Sequence, residues 1–321
     1  MMGPLMTTPT FFEGPEKKLA VVVAPGSPGL RSLGDVAWRT VVEAAGAKIL
    51  SVLRNERCDA YLLSESSLFV FDDWFLFITC GETALVNAIP EILRLVPEES
   101  IAFLKYERKS EHFPERQLTT FSEDAQRLHA ILPGRALRLG EEHGRYIQLF
   151  HTTQPNAPRS AVPTLEVLMY VIDEDVGAQF THERSVRSKS TAAQSGIETI
   201  LPGFETSEHV FEPCGYSCNA LKGDEYYTVH VTPGATGSYV SFETNHDFRG
   251  RASRFARPIV ELFRPRAFDV VTFAPEPEPQ LRIPGYLLGD HVVDQLSGGQ
   301  LSYFQYSAAP SGSRPARELK L

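Results

Sequence analysis

Between Lys48 and Thr79 short apolar runs follow one another with only turn residues between them, and this stretch restricts the fold more than any other. Lys48–Arg54, Ala60–Leu63, Leu68–Phe71 and Trp74–Thr79 read as strands, with Asp72-Asp73 as a hairpin turn between the last two. Before them, Leu19–Ala24 (LAVVVA) reads as a buried strand. Asp35–Ala45 carries apolar residues at 38, 41, 42 and 45, a helical spacing that Gly46 stops. From Thr83 to Val96 the helical period returns at 85, 86, 89, 92, 93 and 96, and Pro90 is expected early in that helix or at a kink. Strand, helix, several adjacent strands and helix predict an antiparallel sheet covered by helices on one face, not a parallel Rossmann sheet.

The later chain is read the same way. Lys105–Gln117 is so charged that it reads as a surface loop. Ser122–Leu132 reads as a helix capped by Ser122, with Glu123 and Asp124 in its first turn. Strands are expected around Tyr146–Phe150, Leu165–Ile172, Tyr226–Val231 and Ser238–Phe242. The Ser- and Arg-rich Arg184–Gln194 reads as loop, Phe255–Phe263 as a helix despite Pro258, and Phe268–Phe273 as the closing strand. The two halves thus repeat a similar order of elements, without visible sequence repetition. The tail from residue 308 to 321 is low in apolar residues and is expected to be disordered.

Composition sets the outer limits. A chain of 321 residues, 42% apolar, can bury a full core, as one large α/β domain or two medium ones. A net charge of −9 without a long basic run argues against a nucleic-acid partner. No apolar run approaches the roughly 20 residues of a membrane span. Met1–Thr10 lacks the basic and apolar regions of a signal peptide. Cys58, Cys80, Cys214 and Cys218 are spaced for neither a zinc site nor a disulfide framework, so the expectation is no metal and a reducing cytoplasm.

The chemistry starts at Leu63-Ser64-Glu65-Ser66-Ser67, between the apolar runs 61–63 and 68–71. A Glu-Ser bond held in a tight turn can break itself. The Ser66 hydroxyl attacks the Glu65 carbonyl, the amide becomes an ester, and β-elimination then leaves dehydroalanine, which hydrolyses to a pyruvoyl group. Such a ketone forms a Schiff base with an amine substrate and draws electrons from it, a sink that no standard side chain offers. A polar hairpin turn is the commoner reading of such a stretch.

Four further stretches matter together with it: Phe11-Phe12-Glu13-Gly14-Pro15-Glu16, Thr79-Cys80-Gly81, Phe211-Glu212-Pro213-Cys214-Gly215-Tyr216-Ser217 and Thr228-Val229-His230-Val231-Thr232-Pro233. With Thr164-Leu165-Glu166, Ile200–Gly203 and Tyr239–Asn245, this set resembles the pyruvoyl-dependent S-adenosylmethionine decarboxylases of the eukaryotic type, from Phe11 to about Phe273. Several motifs in one order, far apart, are more specific than any one.

The resemblance implies a four-layer α/β-β-α sandwich of two antiparallel sheets with helices on the outer faces, formed by a single domain over 1–307. It implies cleavage at Glu65–Ser66 into a β chain, 1–65, and an α chain, 66–321, that starts with the pyruvoyl group. Ser217 and His230 match the family's processing serine and histidine, and Cys80 its proton donor. Phe12 and Phe211 match two rings that sandwich adenine, Glu65 a substrate contact, and Glu13 and Glu16 acidic residues near the site. Taken without the resemblance, each has a plainer reading: a strand histidine, a turn serine, a buried thiol, two core phenylalanines and a solvated acidic segment. Family members are monomers or dimers.

The pattern also breaks. Gly234 follows Pro233 where the family has a ribose-binding glutamate, a contact worth about 2–3 kcal/mol, or roughly one to two orders of magnitude in affinity. One residue fewer than in the animal form separates Ser217 from His230. The animal diamine-activator pocket is kept in Thr164, Glu166 and Glu243. It is lost at Val162, Ala20 and Ile78, where the family has Asp, Glu and Lys, so no strong activation by putrescine is expected. Three readings stay open: an S-adenosylmethionine decarboxylase for spermidine and spermine synthesis, a pyruvoyl decarboxylase of another amino acid, or a non-catalytic regulatory relative.

Overall fold

A computed structural model of the chain describes residues 14–141, 144–153, 162–185, 190–234 and 237–309. Among the described residues sixteen strands form two eight-stranded antiparallel sheets. The first sheet holds β1 (Lys17–Val23), β2 (Ile49–Arg54), β3 (Asp59–Leu63), β4 (Ser66–Val70), β5 (Trp74–Thr79), β6 (Ile101–Lys109), β7 (Gly134–Gly140) and β8 (Tyr146–Thr152). The second holds β9 (Thr164–Tyr170), β10 (Glu205–Val210), β11 (Tyr216–Lys222), β12 (Glu225–Thr232), β13 (Tyr239–Thr244), β14 (Ala267–Ala274), β15 (Tyr286–Leu296) and β16 (Gly299–Ala308). Their orders are β2-β3-β4-β5-β1-β6-β8-β7 and β10-β11-β12-β13-β9-β14-β16-β15. The second order is the first with every label advanced by eight, so the halves repeat in topology as well as in element order.

The strands are amphipathic in the sense that each face meets a different layer. In the first sheet Leu19, Leu63, Leu68 and Phe77 face helices Gly34–Ala44, Ile89–Leu95 and Phe121–Ile131, which bury Trp38, Val41, Val42, Ile92, Ala125 and Leu128 against them. In the second, Val167, Val229, Phe242 and Val270 pack on helix Ala252–Phe263 through Ala256, Ile259 and Phe263. The two remaining sheet faces meet each other. Two apolar clusters there join the sheets, one around Phe103, Leu149, Leu168 and Tyr239 and one around Phe69, Trp74, Leu76 and Tyr226. The result is the expected α/β-β-α sandwich. Among the described residues no helix is long and apolar enough to cross a membrane.

Five local expectations need correction. The charged stretch at Lys105 is not a surface loop: β6 runs through Lys109 in the middle of the first sheet. Lys105, Glu107 and Lys109 share its inner face and are buried as ion pairs, while Arg108 on the outer face pairs with Asp124 at 2.8 Å. Charge implies exposure only where no partner is at hand. Thr120, not Ser122, caps the third helix, because its hydroxyl accepts from the Glu123 N–H and the Glu123 carboxylate accepts from the Thr120 N–H. Within Arg184–Gln194, Ser190 caps a short helix, Thr191–Ser195. The strand at Phe268–Phe273 does not close the chain, since the hairpin β15–β16 follows it and continues the sheet. Ala308 is still in β16, and the tail beyond 309 lies outside the described residues.

Candidate active site

The inner faces carry matching rows of polar residues, placed there by the two-residue period of the strands. On the first sheet Ser67, Ile78, Lys18 and Glu107 stand opposite one another across β4, β5, β1 and β6. On the second, Asn219, Thr228, Glu243 and Glu166 form a row across β11, β12, β13 and β9. The neighbouring row, two residues along each strand, is Ser217, His230 and Ser241. Where the sheets face, the rows interlock. Ser67 meets Asn219 and Thr228, and Lys18 Nζ donates to Glu166 at 2.8 Å and to Glu243. Lys109 Nζ joins Glu107 and Glu166, each at 2.7 Å.

Ser66 breaks the alternation. As the residue before Ser67 it belongs on the helix-facing side, in the row with Thr79 and Lys17. Its φ of +113° turns it instead toward the space between the sheets. A β-hairpin with a two-residue loop ordinarily carries positive φ in the loop itself. Here the loop is Ser64-Glu65, neither has positive φ, and the unfavourable angle falls on Ser66. For a residue with a Cβ this conformation costs about 1–3 kcal/mol. As a result the Ser66 and Ser67 hydroxyls both reach His230. Ser66 Oγ lies 3.2 Å from each ring nitrogen, and Ser67 Oγ 2.9 Å from Nε2. On the other side of the bond between Glu65 and Ser66, the Cys80 N–H donates to the Glu65 carbonyl oxygen at 3.1 Å. That contact draws electron density from the Glu65 carbonyl carbon.

Glu16 enters just before β1 and is buried (1% exposed). Its Oε1 is 2.7 Å from His230 Nδ1 and accepts from Ser241 Oγ at 2.6 Å. Burial works against the charge on Glu16, but Lys18 at 3.4 Å and the bonds from His230 and Ser241 outweigh it and bring the carboxyl down to about 2. Burial likewise opposes the Lys18 charge. Glu166, Glu243 and Glu16 prevail and raise its pKa well above the usual lysine value. Glu65 behaves in the opposite way: its partial burial raises its carboxyl to about 7, although Lys17 pulls it down.

Of the residues singled out from the sequence, Glu16, Glu65, Ser66, Cys80, Ser217 and His230 converge. Ser217 lies opposite His230 in the β11–β12 ladder. Phe211 stands one connection away, after β10. Its ring is 4.6 Å from that of His209, which pairs with Ser217. Phe12 and Glu13 lie outside the described residues. Asn219, Thr228, Ser241, Lys18 and Lys109 were not singled out. Thr228 and Ser241 lay within the stretches that carry the resemblance, and Lys18, a charge beside an apolar run, was a further local signal.

Ala20, Val162, Thr164, Glu166 and Glu243, five positions compared above with a diamine pocket, line one cavity of about 30 Å³ together with Lys18 and Lys105. That volume holds about one water, and the carboxylates at its wall already face lysines.

The adenosylmethionine decarboxylase family model matches residues 9–307. S-adenosylmethionine decarboxylase proenzymes of Dictyostelium discoideum and Ipomoea nil are each 32% identical to the chain, over 90% and 98% of it and 83% and 95% of their own lengths. That of Xenopus laevis is 33% identical over 82% of this chain and 83% of its own. The crystal structure of a truncated Trypanosoma brucei AdoMetDC monomer shares the fold, with a TM-score of 0.57 and 22% identity over 76% of this chain and 99% of that one. With the motifs in order along both sheets and the match spanning nearly the whole length, the chain belongs to the adenosylmethionine decarboxylase family of pyruvoyl-dependent carboxy-lyases.

Proposed function

We propose that this chain is a proenzyme that cuts itself between Glu65 and Ser66 and then decarboxylates S-adenosylmethionine to the aminopropyl donor of spermidine and spermine synthesis in the cytoplasm. The observation that carries the reading is Ser66 itself. A non-glycine residue is held at a φ of +113°, with its hydroxyl 3.2 Å from an imidazole and the adjacent carbonyl held by the Cys80 N–H. A merely structural hairpin has no use for that strain. The proposal takes residues 1–307 as one decarboxylase domain, split into chains 1–65 and 66–321, working as a monomer or a dimer.

The residues present fit a pyruvoyl group at position 66. Ser66 is the only precursor such a group needs, and the Glu65 carbonyl is already polarised for transfer to its hydroxyl. Once formed, the group supplies an electron sink for the loss of carbon dioxide from an amino acid held there. The chain's own residues do the rest. Ser217 and His230 serve the cleavage, with Ser217 set beside His230 by strand pairing. Glu16 fixes the imidazole from its Nδ1 side. Cys80, buried just after β5, returns a proton to the substrate carbon. Phe211, with Phe12, offers aromatic faces to adenine and the sulfonium. Glu13 adds negative charge near the cationic substrate, and Glu65, left as a chain terminus, contacts it.

One observation favours a second substrate. Gly234, exposed after β12, brings no carboxylate to a ribose, so an amino acid without a nucleoside is the competing reading. An intact mass under denaturing conditions tests cleavage: two fragments meeting at Glu65/Ser66 are expected, and a single uncut chain would overturn it in favour of a non-catalytic relative. Steady-state decarboxylation of S-adenosylmethionine against a panel of free amino acids then separates the two substrates.

A further inference from the structure

We propose that Asn219 is a positioning residue that sets the protonation of His230. By taking the hydroxyl protons of both Ser67 and Thr228 it obliges imidazole Nε2 to donate, and with Glu16 at Nδ1 the ring is held doubly protonated in the uncut chain. The proposal deepens the self-cleavage reading and rests on it for its consequence, though not for its geometry.

Asn219 Nδ2 donates to the Tyr61 carbonyl oxygen at 3.1 Å. Turned over, the amide would set its own oxygen against that carbonyl, so Oδ1 must face Ser67 and Thr228. Ser67 Oγ is 2.6 Å and Thr228 Oγ1 3.0 Å from Oδ1. Each hydroxyl has one proton and gives it there. Each then has only lone pairs for His230 Nε2, at 2.9 and 3.1 Å, so Nε2 carries a hydrogen.

At the other nitrogen the partner is Glu16 Oε1, 2.7 Å away and also accepting from Ser241. Lys18 keeps that carboxylate ionised. A bare Nδ1 would set a lone pair against it, so Nδ1 carries a hydrogen too. The other titratable groups nearby are Tyr239, close to Glu16, and Glu65 and Cys80, which flank Ser66.

Ser66 Oγ, 3.2 Å from two nitrogens already donating elsewhere, therefore faces an acid and not a base. As Ser66 Oγ bonds to the Glu65 carbonyl carbon, the C–N bond breaks and the hydroxyl proton passes to the departing nitrogen. The imidazolium adds one more proton, making that nitrogen an ammonium and the ring neutral. The neutral ring can then remove the Ser66 Cα proton. The C–H pair becomes the Cα–Cβ double bond, the Cβ–Oγ pair leaves with the Glu65 carboxylate, and the imidazolium is restored.

The test uses full-length chain labelled with 15N-histidine and kept uncut by Ser66→Ala. The His230 signals are identified by their loss in an added His230→Gln. Both ring nitrogens are expected to carry protons in the Ser66→Ala chain at neutral pH, and Asn219→Ala to leave one of them bare. A bare nitrogen in the Ser66→Ala chain at neutral pH overturns the proposal, and so does unchanged protonation in Asn219→Ala. If that variant fails to fold, Thr228→Val, which deletes one of the two acceptors at Nε2, is read in its place by the same criterion. In chains with Ser66 present, Asn219→Ala is expected to slow fragment formation by at least about tenfold and to move its pH profile. If the unaltered chain never splits, the proposed function fails while the imidazole signals still decide this assignment.

Discussion

The hairpins β3–β4 and β11–β12 occupy equivalent places in the two sheets, and both turn in two residues. They differ in where the backbone takes its positive φ. In β11–β12 it falls on Gly223, at +61°, the first loop residue and one with no Cβ to object. In β3–β4 it falls on Ser66, at the start of the returning strand. One hairpin is relaxed and the other strained, within the same topology. The strain therefore belongs to the sequence at 64–66 and not to the architecture. The sheets also divide the buried charge. The buried lysines Lys18, Lys105 and Lys109 come from the first, with Glu107 beside them, and Glu166 and Glu243 come from the second. The strained bond thus sits at the edge of an ionic seam that ties the halves together.

The largest expected effect breaks that seam. Lys18→Met leaves Glu243 with the Tyr226 hydroxyl as its remaining described partner, and should destabilise the chain by about 3–5 kcal/mol. Urea midpoints read this directly, and a loss below about 1 kcal/mol would mean that water already solvates the seam.

Glu16→Gln comes next. A carboxyl held at about 2 against 4.5 unfolded contributes stability above pH 4.5, and that contribution disappears as pH falls from 4.5 toward 2. The difference corresponds to about 3 kcal/mol at neutral pH. Melting curves of parent and variant should be well apart at pH 7 and converge in acid; a constant separation contradicts the assignment.

Ser64→Gly gives the strained hairpin the option its counterpart has. If positive φ moves into the loop, about 1–3 kcal/mol of strain is relieved and fragment formation slows by roughly tenfold or more. Cleavage at the parent rate would show that strain at Ser66 plays no part. The reciprocal change, Gly223→Ala, meets no atom within 4 Å, so only backbone conformation opposes it. It should cost about 1 kcal/mol and leave cleavage untouched.

The smallest effect is on diamines. Since Lys18 and Lys109 already occupy the carboxylates of the cavity, millimolar putrescine should change neither cleavage nor decarboxylation; a clear rise in either would show that the lysines can be displaced.

Much of this was legible in the sequence because it is local. Apolar spacing at Leu19–Ala24, Asp35–Ala45 and Trp74–Thr79 fixes a strand, a helix and a strand where the structure has them, since burial needs those periods whatever the neighbours are. The family motifs likewise mark Ser66, Cys80, Ser217 and His230 before any geometry is known. The charged run at Lys105 misleads for a physical reason: the sequence alone does not show that carboxylates from Glu107 and, 57 residues beyond Lys109, Glu166 will neutralise it. Nor does it show that the chain places Asn219 under Ser67, 152 residues away. Two-residue alternation tells which face of a strand a side chain takes, but only the packing of one sheet on the other decides what it meets. The chemical identity of the site was therefore written in the residues. Its charge balance and the partners of His230 were decided by tertiary structure, because both depend on groups that only folding brings within hydrogen-bonding reach.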